Sequence, residues 1–199
     1  ELDLQVMPVS FSRQFAEDSL FSVELPGRLF KIIDAGQLEY FIHADMVNGS
    51  FYTIARLRHL GTLFNVSADQ VRARVDSLLF EYIPGRILQR NELAKGSIKG
   101  IEVHNRTRTG DEQWYQIFFT ADEMVLFKLG GKHTYAGSAD AQRFFHSISF
   151  TERNTSPGNF DPPAGGFTVT IPGNYHYEKN DHAGIAGLSE DLFVSVSDG

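Results

Sequence analysis

Apolar and polar residues alternate in short runs along most of this chain, and the runs are punctuated by glycine, proline and asparagine. The period of two predicts strands at 20–25, 29–34, 38–45 and 51–58, with a turn at Asn48-Gly49-Ser50. The period then lengthens. Val71, Val75, Leu78, Leu79 and Tyr82 form one apolar stripe of a helix over 67–83. Ser67 and Gln70 make a capping box at its start, and Pro84-Gly85 stops it. Four further runs, 87–93, 98–108, 112–120 and 124–129, are joined by short polar or glycine turns, the pattern of an antiparallel meander. A second helix is predicted over 138–149, with Ala141, Phe144, Phe145 and Ile148 facing inward and Asp140 in its first turn. The fold class is α+β, a mainly antiparallel sheet packed with helices.

The chain also repeats itself. Phe21-Ser22-Val23-Glu24-Leu25-Pro26-Gly27 matches Phe167-Thr168-Val169-Thr170-Ile171-Pro172-Gly173 at four of seven positions, and two more are conservative. In the same order, Tyr40-Phe41-Ile42-His43-Ala44 resembles Leu192-Phe193-Val194-Ser195-Val196. Between the copies, 151–166 holds three prolines and three glycines with neither period, which reads as a linker. The predicted organisation is a lead-in at 1–19, a complete domain at 20–150, the linker at 151–166 and the truncated start of a second repeat at 167–199. Strands of such a stub, lacking their own sheet, should pair with an open edge, within the chain or between chains.

This order of elements resembles the PsbP-like (Mog/PsbP) fold, an α/β/α sandwich. The resemblance lies in the opening Phe-x-Val-x-Leu-Pro-Gly, in the unit Gly96-Ser97-Ile98-Lys99-Gly100-Ile101-Glu102-Val103 leading to Arg106 and Trp114–Phe119, and in the ending Arg143-Phe144-Phe145-His146-Ser147-Ile148-Ser149-Phe150. It implies an accessory or scaffold protein that binds a protein partner, often outside the cytoplasm, with no shared catalytic constellation and no cofactor. These are packing motifs, more specific for fold than for function. The tandem layout departs from the family.

Composition narrows the classes. With no cysteine, disulfides, zinc–thiolate sites and cysteine nucleophiles are excluded. The net charge of −7 is unevenly spread: 1–49 and 151–199 are each −5, and 50–150 is +3. A mildly basic middle is too weak for a nucleic-acid footprint. No apolar run is long enough for a transmembrane segment. The sequence starts at Glu1 without an initiator Met, which reads as processing and, with the resemblance, as an exported bacterial protein, periplasmic or extracellular.

Candidate chemistry is sparse. His43 and Asp45 share a face of one predicted strand, and His59 lies across the hairpin, so these three are the weak metal candidates. Surface or hydrogen-bonded histidines are the simpler reading, for these as for His104, His133, His146, His176 and His182. No nucleophile elbow is present, and Ser147 and Ser149 look structural. Asp111-Glu112 and Asp122-Glu123 fall in predicted turns, where paired carboxylates normally solvate a tip. Gly130-Gly131-Lys132 lacks P-loop spacing and reads as a loop. Asn48, Asn65, Asn105 and Asn154 head Asn-x-Ser/Thr triplets and read as turn residues. Trp114–Phe119 is apolar on both faces, the one hint of an interface in the composition. The sequence thus favours a non-enzymatic interaction or assembly module. The alternatives are a small-molecule or lipid carrier with a phenylalanine-lined cavity, and a metal-dependent enzyme around His43, Asp45 and His59.

Overall fold

A computed structural model describes residues 10–35, 38–46, 48–58, 73, 77, 83, 85–119, 123–132, 135–151, 158–161, 166–171, 175–181 and 189–195. The chain divides into two compact units, Glu1–Thr151 and Glu152–Gly199. The first is built on a seven-stranded antiparallel sheet ordered β3-β4-β5-β9-β8-β7-β6. Its strands are β3 (Phe30–Ala35), β4 (Leu38–Asp45), β5 (Ser50–Arg58), β6 (Arg86–Lys95), β7 (Ile98–Arg106), β8 (Glu112–Phe119) and β9 (Glu123–Gly131). The last four form the predicted meander, with sequence neighbours paired throughout. Gly96 adopts a left-handed φ of 62°, which lets a two-residue turn join β6 to β7. A smaller sheet, β1 (Ser12–Phe15), β2 (Phe21–Leu25) and β10 (Ser149–Phe150), has β2 at its centre.

Helix α1 (Ala139–Ser147) starts where the Ser138 hydroxyl accepts from the Ala141 amide at 3.2 Å. At its other end Lys95 Nζ donates to the Phe145 carbonyl at 2.9 Å, placing a cation at the helix C-terminus. Ser147 Oγ donates to the Phe144 carbonyl and accepts from the Glu24 amide, both at 2.7 Å, which ties the helix to β2. Leu20, Phe21, Val23 and Leu25 with Ala141, Phe144, Phe145 and Ile148 cover one face of the large sheet, burying Tyr52, Ile54, Phe118, Val125, Phe127 and Leu129. A second cluster, Ile83, Ile101, Val103, Tyr115 and Ile117, occupies the opposite face. Trp114–Phe119 is therefore divided between two cores, and its double apolarity is internal packing rather than a docking strip.

The second unit contains β11 (Gly158–Phe160) paired with β12 (Val169–Ile171), and β13 (Tyr175–Asp181) paired with β14 (Ser189–Ser195).

Several expectations are corrected. The lead-in contributes β1, because Ser12 to Phe15 pair residue for residue with Leu25 to Ser22. The proline tract contributes β11, held by β12, so the first strand after Phe167 has a partner within its own unit. Gly130 and Gly131 belong to β9 and not to a loop. Asn105 is fully buried within β7, not in a turn. The helix predicted at 67–83 lies almost wholly outside the described residues, although Ala73 and Ser77 are helical.

Candidate functional site

Residues directly opposite in an antiparallel sheet share a face, so the register shows which polar groups converge. On the helix-covered face, Glu39 of β4 stands opposite Arg56 of β5. The Arg56 guanidinium, 2% exposed, reaches Glu123 at 2.8 Å, Asp18 at 2.7 Å and Glu39 at 3.4 Å. Glu39 also receives Arg58 at 2.9 Å and Lys31 at 3.0 Å. Glu123, expected to solvate a turn, is instead buried as the second anchor of Arg56. Burial opposes charge on Asp18, but its hydrogen bonds from Arg56 and the Leu20 amide prevail and hold its pKa below the usual carboxylate value. Cations and carboxylates satisfy one another here, an arrangement that fastens the 16–20 loop to the sheet.

A second polar group lies toward β7 and β8. Glu102 Oε2 accepts from Trp114 Nε1 at 2.9 Å and from Gln116 Nε2 at 2.8 Å. The indole is stacked between His104, centroid 4.6 Å away, and Phe145, at 4.2 Å. Burial lowers the His104 pKa below its ordinary 6.5, outweighing the attraction of Glu102 and Glu112. A depressed histidine pKa gives stability that is complete above 6.5 and is lost as pH falls through the folded value. Acidification just below 6.5 is therefore expected to destabilise the domain, and a His104→Gln variant should flatten that part of the pH–stability curve. Urea melts at stepped pH check this; an unchanged slope in the variant would assign the loss elsewhere.

The metal candidates have structural partners. His43 Nδ1 lies 3.0 Å from the Arg28 carbonyl, and its ring packs near Tyr52. Asp45 accepts from the Asn48 amide at 3.2 Å and from Asn48 Nδ2 at 2.7 Å, bracing the β4–β5 turn. His59 lies outside the described residues, as do His133 and His182. Among the described residues no group of three His, Asp or Glu side chains is placed to hold a metal. The phenylalanines that a carrier would line its cavity with pack on one another: Phe21 on Phe127 at 5.1 Å, Phe118 on Phe150 at 4.9 Å, Phe144 on Phe145 at 4.8 Å.

Among the described residues, nothing pairs with the two edges of the sheet. β6 carries Arg86, Arg90, Glu92 and Lys95, charges of the kind that discourage strand addition. β3 does not follow that rule. Phe30 is 62% exposed, Ile32 59%, Ile33 39%, and Leu38 on the adjoining strand 36%. Phe30, Ile33 and Ala35 stand opposite Ile42, Tyr40 and Leu38, so one face of the edge is apolar. Lys31 and Asp34, opposite Phe41 and Glu39, are on the other. The bulge at Ile32 makes this division possible by shifting the register between Lys31 and Ile33. The sequence-based reading missed this edge. The adjacent pair Ile32-Ile33, which breaks the alternation, was the available signal.

No family model matches the sequence, and no curated protein does. Among solved structures, the chain is similar to the solution structure of cyanobacterial PsbP from Synechocystis sp., with a TM-score of 0.51 and 8% identity over 74% of this chain and 96% of that one. Weaker likenesses are the Saccharomyces cerevisiae Ran-binding protein Mog1p (TM-score 0.40, 8% identity, 71% and 96% covered) and a Pseudomonas aeruginosa protein of unknown function (0.36, 12%, 64% and 86%). The fold of this chain is PsbP-like.

Proposed function

We propose that this chain is a non-enzymatic protein-interaction or assembly module: one PsbP-like domain followed by the opening strands of a second copy, within a longer exported bacterial protein. The observation that carries the interaction reading is the apolar face of β3, exposed at a sheet edge that no described strand pairs with, where strand addition by a protein partner would bury it. The polar clusters, in contrast, join parts of the same domain.

The repeat has its own support. A shift of 146 superposes Phe21 on Phe167, and raising both members of the pair Ser12↔Leu25 by 146 gives Gly158↔Ile171, the observed register of β11 with β12. In each unit a further antiparallel hairpin follows, β3 with β4 and β13 with β14. Export draws on the family resemblance.

Photocrosslinking tests the interaction reading. A photoreactive phenylalanine analogue at Phe30, in the cells that make the protein, should give a discrete protein adduct, and one at Thr109 in the exposed β7–β8 turn should give none. Absence of an adduct from both position 30 and position 32 would defeat the reading.

A further inference from the structure

We infer that the partner at this edge, on the interaction reading above, is a second copy of this chain, paired β3 to β3 in antiparallel sense about a two-fold axis between Ile32 and Ile33. The hexapeptide Phe30-Lys31-Ile32-Ile33-Asp34-Ala35 is self-complementary about its centre. Reversed against itself, it sets Lys31 opposite the partner subunit's Asp34, and Asp34 opposite the partner's Lys31. The two outer positions then match Phe30 with the partner's Ala35, and the central isoleucines meet each other. Opposite charges directly across a strand pair are favourable, and an isologous contact makes the match twice.

The faces agree with this register. The register with β4 assigns positions 31 and 34 to one face of the sheet and positions 30, 33 and 35 to the other. Every opposed pair of the proposed contact outside the bulge therefore joins residues of one face. Lys31 is already oriented there by Glu39 at 3.0 Å and Glu17 at 3.6 Å. The apolar face would bring together two copies of Phe30, Ile32, Ile33 and Leu38, the residues that one copy leaves exposed. The other edge is a poor competitor. On β6 a pairing about Asn91 would match Arg90 with Glu92 but would set Lys95 against Ile87 and leave Arg86 beyond the strand's end, and it offers no apolar centre. A contact of six residues per chain is small, so association should be reversible and dependent on concentration.

Sedimentation velocity on the full chain, over a concentration series, tests the pairing. The wild type should move from monomer toward dimer and no further. Ile32→Lys, at an exposed position, and Asp34→Lys, which opposes like charges, should each remain monomeric throughout, with the urea midpoint that the wild type shows at its lowest concentration. A wild type that is monomeric at every concentration, one that grows past the dimer, or a dimer indifferent to both substitutions would overturn the pairing. The two readings fail separately: a monomeric wild type that still yields an adduct from position 30 in cells loses self-pairing and keeps a different protein partner.

Discussion

Replacing Arg56 with methionine is expected to destabilise the domain by about 3–5 kcal/mol, because it takes from the buried Glu123 the guanidinium that donates to it twice. Arg56 and Glu123 are each 2% exposed in their side chains, so water cannot take over the lost partner. Glu39 retains Arg58 and Lys31, whereas Glu123 loses two charge-assisted hydrogen bonds, from Arg56 Nε and Nη2. The expected remedy follows from the same asymmetry. Removing both charges, as in Arg56→Met with Glu123→Leu, should recover most of the loss, since a desolvated pair often contributes little over an apolar one of similar volume. Urea unfolding of the single and double variants reads this as midpoint shifts at constant slope. A double variant as unstable as the single one would mean that Arg56 matters through Asp18 and the 16–20 loop instead.

The second large effect is expected at Phe144. Its ring is fully buried where α1, β5 and β9 meet, 5.1 Å from Tyr52, 6.4 Å from Phe127 and 4.8 Å from Phe145. Phe144→Ala removes a large side chain from a site walled by other rings, which cannot all move inward, and should cost about 3–5 kcal/mol. Phe144→Leu should retain much of the packing. Thermal melts of both variants check the order, and an alanine variant within ~1 kcal/mol of wild type would mean that the helix does not close this core.

The strands whose period was clean were legible in the sequence. Leu38–Asp45 was predicted to the residue, and β7 to β9 with α1 fell within a few positions of their predicted ranges. β1 was not legible, because Ser12-Arg13-Gln14-Phe15 has no apolar period of its own. It is a strand because β2 offers it a register, with Arg13 meeting Ser22 at 2.9 Å and Glu24 at 3.4 Å. β11, inside a tract of prolines and glycines, is made in the same way by β12.

The candidate site was harder to see for a related reason. Thr53-Ile54-Ala55-Arg56-Leu57-Arg58 reads as arginines on a wet face, yet Arg56 shares its face with Tyr52 and Ile54. Its burial is set by Glu123, 67 residues away, and Asp18, 38 residues away. The exposure of β3 depends likewise on strand order, which no local pattern carries: the same Phe30 and Ile33 would be core residues in a central strand. Only the broken alternation at Ile32-Ile33 was there to be read.

Backbone hydrogen exchange along β3, measured on the full chain at rising protein concentration, bears most directly on whether this edge is a docking surface for its own kind. The account predicts that amides from Phe30 to Ala35 slow as concentration rises, while those of β6 from Arg86 to Lys95 keep one rate. Exchange on β3 that ignores concentration, or protection that grows on β6 instead, would contradict it.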